Sequence, residues 1–242
     1  MNQDLIVVGA GRLGREVLKL WREQFPDSAI TAETRASSGQ PLSGVTWRLR
    51  AQAAPASKSY LLFSVPPSAT EHYADEARRA LTLWNGEGRA VFTSSTAALK
   101  NSDRGRRLQA AEQEFLTRGG TVVRLAGLYS RARGPQRAYA TMQKSEERGD
   151  AWLNLIEETD AAELCRLALT RGERGEIYIG CDGTPITRQT FWEMVCDRPS
   201  PFHSTDGDAG QKLSNDQTRE KLQWQPRYSS FVQWWANRSN RA

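Results

Sequence analysis

Short apolar segments rich in β-branched residues alternate along this chain with amphipathic segments of helical period. Apolar runs of about four to eight residues predict strands, whereas apolar positions three or four apart predict helices with one buried face. The predicted strands are 5–8, 29–32, 45–49, 60–64, 90–93, 121–125 and 176–179. The predicted helices are 12–24, 68–83, 106–118, 160–171 and 188–196. This alternation predicts an α/β fold in which helices cover both faces of a parallel sheet.

The first predicted strand leads straight into Gly9-x-Gly11-x-x-Gly14, and an amphipathic helical pattern begins within this motif. Gly9 permits a tight turn, Gly11 lets the backbone approach a pyrophosphate, and Gly14 lets the helix pack closely on the strand. Amide groups at the start of the helix favour phosphate binding. We interpret the segment as a dinucleotide-binding turn, the alternative being a glycine-rich turn of purely structural use. Its predicted cofactor contacts are Gly9, Gly11, Arg12, Leu13 and Gly14.

The composition is that of a globular chain, since 25% of the 242 residues are charged and 38% are hydrophobic. This length allows one large domain, or a core with a small appended lobe. No apolar run approaches the roughly 20 residues of a membrane span. The first strand begins too early to leave room for a signal peptide. We therefore expect a cytoplasmic protein with no membrane attachment.

Cysteine, histidine and charge patterns narrow the chemistry. The three cysteines form no C-x-x-C pair, which favours reduced thiols, and two histidines are too few for a multi-histidine metal site. We expect no bound metal. The net charge of +5 comes with basic clusters at 100–107 and 131–137. Because no nucleic-acid-binding motif accompanies this charge, we interpret the clusters as solvated loops rather than as a nucleic-acid surface.

Four further segments resemble a single family. They are Val91–Lys100, Arg124–Pro135, Asn154–Ala162 and Lys212–Phe231. The first resembles the strand-end serine motif of extended short-chain dehydrogenase/reductases, and the second resembles their R-x-x-G-x-Y segment. The third resembles their N-x-I-H-x-x-D-x-A segment, and the fourth their closing L-G-W-x-P-x-Y-x-S-F region. In this shared order they resemble an atypical NAD-dependent epimerase/dehydratase-type protein over nearly the whole chain.

The resemblance implies a Rossmann-type doubly wound parallel sheet with a small C-terminal substrate lobe. It implies a dinucleotide-binding core over residues 1–180, with 129–150 contributing to the pocket, and a lobe and tail over 181–242 in the same compact unit. Cofactor ribose or nicotinamide lies at the carboxyl ends of strands in such folds. The fourth strand ends in the expected cofactor contacts Ser64, Val65 and Pro66. The expected holders of an anionic substrate group are Arg131 and Arg133.

The chain departs from this family at its acid/base residues. In the enzymes a Tyr-x-x-x-Lys pair follows the serine on the next helix, where the tyrosine acts as acid or base and the lysine lowers its pKa. Here no tyrosine lies between Tyr73 and Tyr129, and the helix begins near Arg104–Arg107. A Val-Tyr-Gly segment is also lost, and aligning Leu99 with its tyrosine places Ser95 at the catalytic-serine position. We expect Ser95 to orient the substrate. The replacement for the lost pair is either Tyr129 as a relocated acid, or Lys100 or an arginine among 104–107 acting electrostatically.

The end of the second strand bears on the choice of cofactor. Glu33 follows Gly14 at the distance, roughly 20 residues, at which an acidic residue takes a ribose hydroxyl in NAD sites. Thr34-Arg35, with Ser37 and Ser38 behind, instead resembles the Thr-Arg pair that NADP-using relatives place under the adenosine phosphate. An arginine there neutralises the 2′-phosphate by bidentate contact. We favour NADP, with NAD as the alternative.

Three functions fit these features. The first is an NADP(H)-binding oxidoreductase or epimerase-type enzyme without the usual catalytic tyrosine, acting on a small substrate that arginines would hold if it is anionic. The second is a non-catalytic NADP-binding assembly factor, regulator or redox sensor with a protein partner, which the missing tyrosine and lysine favour. The third, a relative of β-hydroxyacid dehydrogenases or imine reductases, ranks lower because those families continue into a long helical domain. Substrate, catalytic activity and oligomeric state stay open.

Overall fold

The computed structural model describes residues 3–35 and 41–237, so Ser37 and Ser38 lie outside the described residues. The strands are β1 Leu5–Val8, β2 Ile30–Thr34, β3 Val45–Leu49, β4 Tyr60–Phe63, β5 Ala90–Ser95, β6 Thr121–Leu125, β7 Gly127–Tyr129, β8 Ser145–Arg148, β9 Trp152–Leu153, β10 Leu155–Glu157, β11 Ile177–Gly180, β12 Ile186–Thr187 and β13 Phe202–Ser204. The helices are α1 Arg12–Gln24, α2 Tyr73–Leu81, α3 Asp103–Thr117, α4 Pro135–Thr141, α5 Glu158–Arg171, α6 Arg188–Val195, α7 Asp216–Leu222 and α8 Phe231–Ala236, with 3₁₀ turns at Pro67–Ala69 and Thr96–Leu99.

Seven strands form one parallel sheet in the order β11-β6-β5-β4-β1-β2-β3. The chain winds outward from β1 to β3, crosses back to β4 beside β1, and then winds outward in the other direction. This is the doubly wound, Rossmann-type topology, and it confirms the predicted fold class. The strand order reverses between β1 and β4, and ligands bind at the carboxyl ends of the strands at such a switch point.

Strand β1 explains how a continuous apolar run serves a sheet covered on both faces. Leu5 and Val7 point to one side, into a cluster that α1 and α5 complete. Ile6 and Val8 point to the other side, into a cluster that α2 and α3 complete. All four residues are at most 2% exposed. Because successive side chains of a strand alternate between faces, every position of β1 contributes to one of the two cores.

The start of α5 differs from the sequence prediction. In the predicted helix 160–171, Asp160 with Glu163 three residues on has the pattern of an N-cap, which predicts the helix start there. This prediction is wrong, because the helix begins at Glu158 and Glu157 is its N-cap. The Glu157 carboxylate accepts hydrogen bonds from the amides of Thr159 at 2.6 Å and Asp160 at 3.3 Å. Asp160 instead accepts hydrogen bonds from the amides of Arg227 at 2.9 Å and Tyr228 at 3.2 Å. It therefore attaches the C-terminal segment to the core.

A third hydrophobic cluster forms the small lobe. It contains Tyr129, Tyr139, Leu155, Ile186, Phe191, Trp192, Phe231 and Trp234. Its members come both from residues 129–155, in β7, α4 and β10, and from the chain beyond residue 180, so both parts contribute to one lobe core. The division of the chain at residue 180 stays a prediction.

The structure also bears on disulfide bonds, metal binding and membrane spans. All three cysteines are free, and Cys165 is fully buried on α5. In residues 3–35 and 41–237, no three His, Cys, Asp or Glu side chains are arranged to hold a metal ion. Within the same ranges, every helix is too short or too polar to cross a bilayer.

A second buried carboxylate, that of Asp182, holds the lobe in place. It accepts hydrogen bonds from the amides of Thr184 and Phe231, both at 3.0 Å, and the residue is 5% exposed. Burial raises the pKa of Asp182 from 3.8 to about 7, because the charged form loses its hydration. The unfolded chain therefore releases this proton at a lower pH than the folded chain does.

We expect this difference in pKa to make stability depend on pH. Between pH 3.8 and about 7 only the folded state keeps the proton, so the stabilising contribution of Asp182 falls as the pH rises through this range. Above about 7 both states have released the proton and the contribution is lost. Asp182→Asn has no such titration. The measurement is urea unfolding of both proteins at about pH 5 and about pH 8. The wild type should lose stability relative to the variant at the higher pH, and a constant difference would contradict the assignment.

Candidate functional site

The glycine turn between β1 and α1 is shaped by two close approaches of the backbone. Gly9 has a φ of +91°, and a Cβ there would lie 2.7 Å from the carbonyl carbon of Ser64 on the neighbouring strand end. A Cβ on Gly14 would lie 2.8 Å from the Gly9 carbonyl oxygen. Gly11 differs, since nothing lies within 4 Å of its Cβ position. Packing within the chain therefore requires glycine at positions 9 and 14, whereas the space beside Gly11 is open to a ligand.

The N-terminus of α1 faces this open space. Its N-cap is Gly11, which offers no side-chain hydrogen bond, and its first turn carries no acidic residue. The first amides of a helix have no partners within the helix, and they carry the positive end of its dipole. The turn therefore fits an anionic group such as a pyrophosphate.

Two cavities meet at this turn. The first, of about 320 Å³, is lined by Gly9, Ala10, Gly11, Glu33, Thr34, Arg35, Arg50, Ser64, Val65, Pro66 and others. The second, of about 420 Å³, is lined by Gly11, Arg12, Leu13, Ser64, Val65, Pro66, Ser95, Arg104, Leu108, Leu128, Arg133 and others. Gly11 and the segment Ser64–Pro66 line both, so the two cavities form one groove across the carboxyl ends of the central strands. Gly14 lies behind the groove, where it lets α1 approach the turn.

Glu33 is not presented to the first cavity as a free carboxylate. Its side chain is 2% exposed, and its two oxygens accept hydrogen bonds from different guanidinium groups, Oε2 from Arg48 and Oε1 from Arg79. Arg48 is itself held by the carbonyls of Gln52 at 2.6 Å and Ala53 at 2.8 Å. The charge of Glu33 is therefore compensated within the protein, and a ribose hydroxyl would have to displace an arginine to reach it.

Arg50 is a cavity residue that the sequence prediction missed. It follows β3, and its amide donates to the Thr34 carbonyl at 2.8 Å. Its guanidinium pairs with Glu76, whose side chain is 3% exposed and also accepts a hydrogen bond from Arg79 at 3.1 Å. Arg50 could have been found from the sequence, because it directly follows the predicted strand next to β2, and neighbouring parallel strands end at the same edge of a sheet.

The positive and negative side chains beside the first cavity do not balance in number. Arg48, Arg79 and Arg50 face the two carboxylates of Glu33 and Glu76, which leaves one positive charge. Arg35, on the same cavity, adds a second. This end of the groove therefore suits a group that carries two negative charges.

Three hydroxyl groups at the end of β5 line the second cavity, and they differ in their availability for a hydrogen bond to a ligand. Ser94 donates to Glu112 at 2.5 Å, and Thr93 donates to the Phe63 carbonyl at 3.1 Å. Ser95 Oγ accepts a hydrogen bond from the Ala97 amide at 3.2 Å and, among the described residues, donates none. The proton of Ser95 is thus free to bind a ligand oxygen.

The structure does not bring Tyr129 to this cavity. The residue is fully buried in the lobe, and its ring lies edge-on to Phe231 and Trp234, with each pair of ring centroids 5.0 Å apart. Its hydroxyl has no hydrogen-bond partner among the described residues, and burial raises its pKa far above the usual value. The neighbouring residue Leu128 lines the cavity instead. The motif resemblance located β7, but alternation along the strand turns Tyr129 to the other side.

The predicted arginine pair is also divided. Arg133 lines the second cavity together with Ser95 and Arg12. Arg131 lines two other surface hollows, one beside Arg15 and Lys19 and the other beside Trp234. Of the two, Arg133 is therefore the one placed to meet a ligand in the groove.

Solved structures of low sequence identity share this fold. A dTDP-glucose 4,6-dehydratase from Bacillus anthracis in complex with NAD has a TM-score of 0.75 at 12% identity, over 98% of both chains. A putative NAD-dependent epimerase/dehydratase from Methylobacillus flagellatus has a TM-score of 0.73 at 21% identity, over 96% of both chains. A UDP-glucose 4-epimerase from Thermotoga maritima with UDP-glucose has a TM-score of 0.70 at 14% identity, over 93% of this chain and 94% of that one. No protein-family model matches the sequence, and it matches no curated protein.

Proposed function

We propose that this protein binds NADP(H) along the groove and acts as a short-chain dehydrogenase/reductase-like oxidoreductase or epimerase-type enzyme. Its substrate would be a small molecule beside Ser95. The observation that carries the proposal is the glycine turn at the head of α1, where the open side of Gly11 joins the two cavities. The presence of NAD in the B. anthracis dehydratase supports a nicotinamide dinucleotide.

In this proposal each part of the groove holds one part of the cofactor. The pyrophosphate lies over Gly11–Leu13, at the positive end of the α1 dipole. The adenosine half occupies the first cavity, and the nicotinamide half occupies the second, beside Ser64–Pro66. The turn at Gly11 lies where the two cavities join, as a pyrophosphate between two nucleosides requires.

We favour NADP over NAD because of charge. The 2′-phosphate brings up to two negative charges to an end of the groove where the arginines exceed the carboxylates by two. Arg35 and Arg50 line that cavity and offer planar guanidinium groups, which bind phosphate oxygens two at a time. NAD would instead need an acceptor for its ribose hydroxyls, and Glu33 is already bound by two arginines.

The bound nicotinamide would supply hydride transfer, and the protein would orient the substrate. Ser95 has a free hydroxyl proton for a substrate carbonyl oxygen. Tyr73 is a buried tyrosine whose hydroxyl donates to the carbonyl of the groove residue Val65 at 2.6 Å, and burial raises its pKa well above the usual value. Among the described residues that line the second cavity there is no Tyr, His, Cys, Lys, Asp or Glu side chain to act as a general acid. A reduction here would thus take its proton from water.

The second candidate function is NADP binding without catalysis, as an assembly factor, regulator or redox sensor. The specific observation in its favour is on α3, where Arg104 and Leu108 face the second cavity four residues apart. This is the spacing of the tyrosine and lysine that the family resemblance would require. Turnover distinguishes the two functions, whereas both require the same cofactor site.

Gly11→Val tests the cofactor site without disturbing the fold. Gly11 has a φ of −72° and open space at its Cβ, so valine should leave thermal stability unchanged while blocking the approach of a pyrophosphate. We expect NADPH affinity, measured by calorimetry, to fall at least about tenfold. Gly14→Val is the contrasting variant, because its side chain meets backbone at 2.8 Å and should destabilise the protein itself. Equal NADPH affinity in wild type and Gly11→Val would refute the site.

Arg35→Gln and Arg50→Gln test the 2′-phosphate assignment. Each change removes a hydrogen bond between charged groups, worth about 1.5–3 kcal/mol, so NADPH affinity should fall about tenfold or more. NADH affinity should change little, because that cofactor lacks the phosphate. Arg78→Gln is the matched control, since Arg78 lies on α2 and pairs with Asp75 and Glu114 outside the groove. A wild type that prefers NADH would contradict the assignment.

Turnover is tested by NADPH oxidation with a panel of aldehydes, ketones, enones and nucleotide sugars. Loss of general acid catalysis typically costs about 10²–10⁴-fold, so we expect slow turnover in the wild type. Ser95→Ala should lower it further, because the substrate oxygen loses its donor. Tyr129→Phe should leave it unchanged, because that hydroxyl is buried outside the groove. Fast turnover that collapses in Tyr129→Phe would restore the relocated acid, whereas no turnover with any substrate favours the binding protein.

A further inference from the structure

The three arginines at the start of α3 have different surroundings. Arg106 pairs with Asp103 and donates to Asn101 Oδ1 at 3.0 Å. Arg107 donates to the carbonyls of Pro67, at 2.8 Å, and Thr70. Arg104 lines the second cavity and, in the described part of the chain, has no carboxylate within 4.0 Å. One guanidinium of this cluster is therefore left for a ligand.

The position of Arg104 is set by close backbone packing. A Cβ on the next residue, Gly105, would collide with the Lys100 carbonyl and lie 2.9 Å from the Ala97 carbonyl. The amide of Gly105 donates to the N-cap side chain of Ser102 at 3.1 Å. The first turn of α3 is thus pressed against the 3₁₀ turn that follows Ser95. This contact keeps Arg104 on the same side of the groove as Ser95.

The other two cations of the second cavity already share a carboxylate. Glu158, at the start of α5, lies 3.9 Å from a guanidinium nitrogen of Arg12 and 3.7 Å from one of Arg133. Its side chain is 11% exposed. The proposed cofactor would also bring its pyrophosphate next to Arg12. Arg104 then remains as the cation of this cavity whose charge no described carboxylate compensates.

We propose that the second cavity binds a small oxo acid, with the carboxylate of the substrate on Arg104. One guanidinium matches one planar carboxylate in charge and in geometry. Leu108 and Leu128 offer an apolar wall for a short carbon body, and Ser95 can donate to the carbonyl oxygen. This inference deepens the proposed function, on which it rests, by naming the substrate class.

The experiment compares acids with their neutral amides. Protein saturated with NADP⁺, the oxidised cofactor that permits no reduction, is titrated with pyruvate, 2-oxobutyrate and phenylpyruvate and with the corresponding amides, by ligand-observed NMR. We expect the acids to bind about tenfold or more tightly than the amides in the wild type. Arg104→Gln should remove that preference. Arg104→Lys should keep part of it, because lysine keeps the positive charge but lacks the paired N–H donors of the guanidinium. Arg106→Gln, on the same turn, is the matched control and should behave as wild type.

The outcomes separate this inference from the proposed function. Equal binding of acids and amides, a preference that survives Arg104→Gln, or no binding of any of the three acids would overturn it. Inorganic phosphate and UDP-glucose are titrated alongside, and an Arg104-dependent preference for either would reassign Arg104 to a phosphate and overturn the carboxylate. Failure of NADP⁺ itself to bind would refute the proposed function, while the acid and amide titrations of the protein alone would still decide the role of Arg104.

Discussion

The near-contact between the turn after β1 and the end of β4 is the constraint on which the groove depends. Gly9 approaches the Ser64 backbone so closely that no side chain fits between them, and Gly14 brings α1 equally close to the turn. The two strands lie side by side at the point where the sheet reverses its winding. Because backbone meets backbone there, the strand ends leave their polar groups facing one shallow channel. Both cavities open from that channel. Residues at the ends of β2 and β3 line the first cavity, and residues at the ends of β5 and β6 line the second.

Ion pairs surround the two buried carboxylates beside the first cavity, those of Glu33 and Glu76. The pair of Arg48 and Glu33 is buried on both sides, with side chains 8% and 2% exposed, and removing one partner of such a pair typically costs about 3–5 kcal/mol, because the other charge is left unsolvated. Glu33 is shared by Arg48 and Arg79, and Glu76 by Arg79 and Arg50, so each carboxylate has two partners. The ion pair with Glu76 holds Arg50 at the cavity wall, while Arg48 and Arg79 donate hydrogen bonds to the carboxylates of Glu33 and Glu76. The same geometry that stabilises the sheet edge therefore also sets the charge that a ligand meets.

The sequence was sufficient for the elements that depend on local pattern. The seven predicted strands are the seven strands of the main sheet, and the glycine spacing located the turn, because apolar period and glycine sterics act over a few residues. It was insufficient where tertiary contacts decide. Glu33 stands at the ribose distance in sequence, yet its partners lie 15 and 46 positions away along the chain. Tyr129 matched a motif, but which face of β7 it occupies depends on the lobe that covers it.

Asp160 and Asp182 attach the C-terminal segment through its backbone amides rather than through its side chains. The identities of residues 227, 228 and 231 thus matter little to these particular bonds, since every amino acid except proline supplies the same N–H. A substitution at 227 or 228 therefore leaves these bonds in place unless it introduces proline, whereas Phe231 is also held by the burial of its side chain in the core of the lobe. The two aspartates carry the constraint instead, because replacing either carboxylate removes the acceptor for two backbone amides at once.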